Sequence, residues 1–252
     1  MLDFWKIRHE ITSKISDLRY LTVAIIYGMA DSERQLLDRL PGEVKNIDDI
    51  DRVKKHFEKK LKKKDTGFFA GLRKWNYQRQ INKFENNEDN PLHAGTRGEN
   101  KVIEELLKLD EHYHILCGVR IELPYYVWYN GQKNLKSAQM DLVVVCPKGV
   151  FMIEVKNWSN DYSKNYDGLN PYEQTDRAGR VLWIALQDVI KNIRVTNVLL
   201  SIQGNISYNE KYRAVFVSSL NRINQFLEKR QDALSPREVE IIVDELKYYV
   251  TR

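Results

Sequence analysis

Cysteine is almost absent: Cys117 and Cys146 are the only two in 252 residues. Both sit in apolar runs, which argues against a disulfide scaffold or a cysteine-ligated metal and for two buried thiols in a reducing compartment. Long apolar runs are missing too. The best, Leu21–Ala30, falls well short of the roughly 20 residues a spanning helix needs. No membrane partner is therefore expected, and the run is read as a buried helix or strand. The opening Met1–Lys6 lacks a basic start followed by a long apolar segment, so no secretory signal is expected and the cytoplasm is the expected location. Internal repeats and low-complexity tracts do not occur.

What is present is ample for a core: 42% of residues are apolar, enough for one sizeable domain or a domain with an appendage. The net charge of +5 and the pI near 9.0 are compatible with a polyanionic partner without demanding one. Residues 1–90 are charged and show little alternation, so a helical region is expected there. In Asp51–Lys64, Val53, Phe57 and Leu61 recur every fourth residue, leaving a dense basic surface outside. Lys54, Lys55, Lys59, Lys60, Lys62, Lys63 and Lys64 are candidates for phosphate contacts, although a charge run can also be a solvated face. Phe68–Arg79 mixes aromatics with Arg and Lys. Stacking on bases is one reading, and docking of this arm onto the rest of the chain is the more ordinary one. The polar Asn86–Pro91 marks the boundary, dividing the chain into a helical basic region, 1–90, and a second region, 91–252.

The second region is organised around Met140–Lys156. Val and Ile crowd two strand-like arms, and Pro147-Lys148-Gly149 punctuates the turn. Both faces of the arms are apolar, as in a central strand covered by helices. Asp141, Glu154 and Lys156 gather at the open end. A two- or four-residue turn places Asp141 opposite Glu154, with Lys156 on the same face; a three-residue turn offsets them unless a bulge intervenes. Charges in such a place are expensive unless they bind one another or a metal.

Helices flank this hairpin. Glu99 lies three and four residues before Val102 and Ile103, on the apolar face of a helix running to Leu109. It either complements the helix dipole or aims a carboxylate at the core. Tyr113–Leu123 is the first expected strand and Pro124–Ser137 a loop rich in Tyr, Trp, Asn and Gly. An exposed loop, Asn157–Asn170, follows the hairpin, and a helix from Pro171 turns Gln174 inward with Ala178 and Val181. Lys211–Ser219 is the next expected strand, Asn221–Lys229 a helix, and Ser235-Pro236-Arg237-Glu238 opens a capped final helix. His93, His112 and His114 are read as structural.

Gly95-x-x-Gly-Glu99, Asp141-Leu-Val-Val-Val, Gly149-Val-Phe-Met-Ile-Glu154-Val-Lys-Asn-Trp158 and Pro171-x-x-Gln174 resemble the nuclease-related domain NERD, of the PD-(D/E)xK nuclease superfamily. The likeness covers about 93–220. It implies an α/β, restriction-endonuclease-like fold, a central mixed sheet flanked by helices, and a Mg²⁺-dependent nuclease acting on DNA, with Mn²⁺ as an alternative ion and RNA not excluded. It also implies roles: Asp141, Glu154 and the carbonyl of Val155 as metal ligands, Glu99 completing the shell or binding a second ion, Lys156 orienting the attacking water or stabilising the transition state, and Gln174 orienting a ligand or a phosphate. Met140 stands where the superfamily pattern has Pro. The rival expectation is a nucleic-acid-binding or regulatory module that keeps the fold without cutting.

Overall fold

In the arms of the central hairpin, apolar side chains alternate onto two faces, and each face is covered by helices. The computed structural model of the protein describes residues 22–64, 67, 69–87, 91–157, 170–204 and 206–251. Met1–Lys6, Leu21, Phe68, Trp158 and most of the expected loop at 157–170 lie outside the described residues, as do 88–90 of the boundary segment.

Strands β1 (Ile25–Tyr27), β2 (His114–Tyr129), β3 (Gln132–Cys146), β4 (Gly149–Lys156), β5 (Val195–Ser201) and β6 (Val215–Ser219) form one sheet in sequence order. The pairs β2–β3 and β3–β4 are antiparallel, while β1–β2, β4–β5 and β5–β6 are parallel. The sheet is mixed, as expected. Cys146 pairs with Gly149 and Leu142 with Ile153, so the turn is the two-residue Pro147–Lys148, and continuing the register puts Asp141 opposite Glu154.

One face carries Val143, Val145, Val150 and Met152. It is covered by α5 (Pro171–Gln187), through Ala178, Val181 and Leu182, and by α7 (Pro236–Leu246), through Ile242, Val243 and Leu246. The other face carries Leu142, Val144, Phe151 and Ile153, packed against Val102, Ile103 and Leu106 of α4 (Pro91–Leu106) and Ile223 and Leu227 of α6 (Ile223–Glu228). Both cysteines are free and buried. Ser235 caps α7 with a reciprocal Glu238 bond, the expected capping box.

The N-terminal region is helical, with α1 (Asp31–Arg39), α2 (Asp49–Lys62) and α3 (Ala70–Glu85) sharing a core of Leu36, Val53, Phe57, Ile81 and Phe84. Within the described part of the run Leu21–Ala30, Ile25–Tyr27 forms β1, which adds an edge to the sheet; it is not fully buried as expected, since Val23 and Ile25 are exposed. No helix among the described residues is long and apolar enough to cross a membrane.

Three local expectations need correction. Pro124–Ser137 is not a loop; β2 and β3 run through it as a long hairpin. Its turn is Asn130-Gly131, both at positive φ, 47° and 78°, the geometry that Asn-Gly adopts in two-residue hairpins. A register shift between Glu122 and Val127 accommodates Pro124, which has no N–H to donate. Second, β5 lies in a stretch where no strand was expected, and the strand expected over Lys211–Ser219 is confined to β6 after a short 3₁₀ turn, Glu210–Tyr212. Third, Leu72 and Trp75 are not docked onto the rest of the chain; they are 62% and 60% exposed.

Phe151 is 1% exposed and meets Phe226 edge-on at 6.4 Å between ring centroids, while Phe226 in turn lies 5.8 Å from Phe216. Phe151→Ala should destabilise the fold by about 3–5 kcal/mol in urea unfolding, whereas Trp128→Ala at the exposed hairpin should change it by less than about 0.5 kcal/mol. Equal effects would contradict this placement of the core.

Candidate active site at the strand ends

The hairpin ladder ends at Leu142–Ile153, and beyond it the Asp141 carboxylate replaces the next backbone partner: its Oδ2 accepts the Val155 N–H at 2.7 Å. That bond turns the acid toward β4. Glu154, 2% exposed, accepts Lys156 Nζ on Oε1 at 2.8 Å. The same ammonium donates to Gln174 Oε1 at 3.0 Å. Gln174 lies in the first turn of α5, whose start is fixed by Asn170 accepting the Tyr172 N–H. Lys156 is thus held between a strand carboxylate and a helix amide.

Glu99 comes from α4 on the opposite face and is 8% exposed, so the inward reading of its helix position is the correct one. Ser32 of α1 and the Glu154 charge both act on it. The close approach of α4 explains the glycine spacing before it. A Cβ on Gly98 would fall 2.8 Å from Ile202 Cδ1 and 3.0 Å from Asn157 Cβ, so only glycine lets the helix reach the strand ends. Asn157 closes this contact by donating Nδ2 to Ala94 O at 2.8 Å. Sequence reasoning assigned no role to Asn157 or Ser32. The position of Asn157 directly after Lys156 was the only available signal for it, and nothing local marked Ser32.

The three acids are poorly solvated. Burial, first, and then the Asp31 and Glu154 charges push the Glu99 carboxyl up to about 7, against a lowering by Ser32, whose buried hydroxyl has no well-formed hydrogen bond of its own. Loss of water also holds Asp141 well above the ordinary carboxylate range. Glu154 and Glu99 add to that rise, opposed by the Val155 N–H and Lys156. Glu154 is raised by burial and pulled back by Lys156. Glu99 Oε2 and Glu154 Oε2 are buried without a hydrogen-bond partner, and such orphaned acceptors are rare.

This donor set fits a hard divalent cation, for which carboxylate oxygens are the usual protein ligands. Among the described residues no group of three or more His, Cys, Asp or Glu forms a cage unaided. Mg²⁺ does not require one, because it keeps several waters and takes one or two carboxylates. The clefts of about 440 and 390 Å³ are not lined by these acids.

Residues 94–202 match the family model described as nuclease-related domain, NERD. Glu99, Asp141, Glu154, Lys156 and Gln174 all fall inside the matched segment, and the lysines of α2 fall outside it. No curated protein matches the chain. A solved structure, the small subunit (R.BspD6I2) of the heterodimeric restriction endonuclease R.BspD6I, is similar over 53% of this chain and 82% of that one, at 12% identity and a TM-score of 0.21.

A carboxyl whose folded value exceeds its unfolded value binds more protons in the native state, so stability is full at low pH and falls as pH rises from the unfolded value toward the folded one. For Glu99 that window runs from about 4.5 to about 7. Glu99→Gln should therefore flatten the loss of thermal stability over this range, and at pH 8 without divalent ions it should stabilise the fold by up to about 3 kcal/mol. Mg²⁺ or Mn²⁺ should raise the melting temperature of the unaltered protein more at pH 8 than at pH 5. A variant with an unchanged pH profile would show that Glu99 does not feel the site.

Proposed function

We propose that the NERD domain of this chain is a metal-dependent nuclease that hydrolyses phosphodiester bonds of DNA. The observation that carries this reading is Lys156, fixed between Glu154 and Gln174 beside two buried carboxylate oxygens that lack partners. Asp141, Glu154 and the Val155 carbonyl would hold Mg²⁺ or Mn²⁺, with Glu99 completing the shell. When bound, the ion supplies Lewis-acid stabilisation of the phosphoryl oxygens and a more acidic water. Lys156 places its ammonium where negative charge develops on the phosphate, and its fixed geometry makes that stabilisation preorganised. Gln174 is a positioning residue that keeps the ammonium from collapsing fully onto Glu154. The raised carboxyls release their protons when a cation arrives, so the site is poised for the ion instead of for a structural ion pair.

The basic arm supplies affinity. Lys55, Lys59, Lys60, Lys62, Lys63 and Lys64 are exposed or nearly so and Lys54 is half-buried. Leu92, in the first turn of α4, packs into the arm's core, so the lysines belong to a unit anchored on the helix that carries Glu99. Exposed Trp75, with Arg79 over its ring at 5.8 Å, extends that surface with a group able to stack on bases.

Incubation with linear, nicked, circular and branched DNA and with RNA, in Mg²⁺ or Mn²⁺, should give cleavage that Glu154→Ala and Lys156→Ala each reduce by about 10²–10³-fold or more. Equal cleavage by all three proteins would sink the assignment. DNA binding without cleavage under any condition would favour the non-catalytic module. Replacing Lys59, Lys60, Lys62, Lys63 and Lys64 by Ala should weaken DNA binding and lower the salt slope by about 0.9 for each phosphate no longer neutralised; an unchanged slope would return the run to a solvated face.

A further inference from the structure

At the carboxyl ends of the parallel strands, Lys156 pairs in register with Ser201, and Ser201 with Ser219. The three side chains therefore form a row on one face of the sheet. With strands about 4.8 Å apart, Ser219 stands about 10 Å from Lys156. Past Ser219 the row opens into the cleft of about 440 Å³, where Gly204, Arg222, Gln225, Phe226 and Lys229 form much of the wall. Crevices outside the carboxyl ends of parallel strands are where ligands of α/β proteins bind.

The charge of this wall is one-sided. Beside the apolar Ile206, Val217 and Phe226 it carries two cations, two serines and an amide, and none of its residues is acidic. Arg222 and Lys229 are exposed, and neither takes part in a salt bridge among the described residues. Their neighbour Arg230 is already engaged, lying over the Phe226 ring at 4.3 Å and the Phe216 ring at 4.7 Å. Phe226 also meets Phe151 and Phe216, so its ring is committed to the protein and offers little to a nucleobase. The wall presents charge and hydrogen-bond donors, the groups that recognise a sugar–phosphate backbone.

We propose that this cleft binds a phosphate of the strand being cut, flanking the scissile bond, through Arg222 and Lys229. The row of about 10 Å from Lys156 to Ser219 keeps that phosphate apart from the scissile one. Gln225 adds an amide donor, and recognition is independent of base sequence. The inference rests on the nuclease reading for the position of the scissile phosphate, but the affinity of the cleft for a strand can be measured without cleavage.

The test uses the full chain with Arg222→Ala, Lys229→Ala and both together. Since both side chains are exposed, thermal unfolding should be unchanged. Anisotropy of a labelled 12-mer single-stranded DNA, titrated in EDTA, should show each variant binding about three- to tenfold more weakly, with a salt slope lower by about 0.7. In Mg²⁺, kcat/KM should fall to a similar degree for the 12-mer and stay within about twofold for a dinucleotide, which has no flanking phosphate. Unchanged 12-mer binding overturns the proposal whether or not the protein cuts. Equal losses on 12-mer and dinucleotide also overturn it, since they would place the two cations at the scissile phosphate. Weakened binding in a protein that cuts neither substrate upholds the cleft while the nuclease reading fails. Inorganic phosphate is the competitor: displacement of the 12-mer only at millimolar phosphate supports the strand, and displacement at micromolar phosphate assigns the cleft to the free anion and overturns the proposal.

Discussion

The hydrogen bond from the Val155 N–H to the Asp141 carboxylate is where the two arms of the hairpin stop pairing with each other and the candidate site begins. On one side of it the strands are joined by backbone pairs and buried on both faces. On the other, acidic side chains take over in a region that water reaches poorly. The bond depends on parity: side chains alternate strictly along a strand, so the two-residue turn at Pro147–Lys148 decides which face Asp141 and Glu154 share. An odd change in turn length would separate them. That turn is itself braced, since Pro147 O accepts the N–H groups of Ala233 and Leu234 and Lys148 pairs with Asp232 at 2.6 Å.

Helices from opposite faces then converge on one end of the sheet. The α5 helix brings Gln174 to Lys156 from the face of Val143 and Met152. The α4 helix brings Glu99 from the other, at the close approach that Gly98 permits. The N-terminal region contributes through α1, where Ser32 faces Glu99, and through β1, which extends the sheet beside β2. The N-terminal helices and the segment that matches the family model therefore meet beside Glu99.

The parts of the fold that could be read from sequence are those governed by local periodicity. The apolar stripe of α2, the capping box of α7, the two-faced arms of β3 and β4 and the inward positions of Glu99 and Gln174 all follow from spacing. The exposed arms failed for a physical reason. Tyr125, Tyr126 and Trp128 continue β2 without a core face to produce alternation, and the Asn130-Gly131 turn was passed over as one more loop dipeptide. In β5, Val195-Thr-Asn-Val-Leu-Leu-Ser201 has neither Gly nor Pro at its ends to punctuate it, and its burial comes from neighbours distant in sequence. Ser32 and Asn157 matter through contacts that only the assembled chain makes.

Nearly every level of this chain agrees with its neighbours: propensity, pattern, caps and core packing point to the same sheet. The disagreement is concentrated where three carboxyls are buried around one ammonium. Replacing those acids with apolar residues of similar size would be expected to stabilise the fold, because burying charge is costly unless it is fully compensated. Lys156 compensates only part of it, and two buried oxygens have no donor. Acids that burial drives toward their protonated forms, with acceptor oxygens left without donors among the described residues, are a destabilising feature, and a hard divalent ion is the kind of ligand whose charge and oxygen preference would offset it.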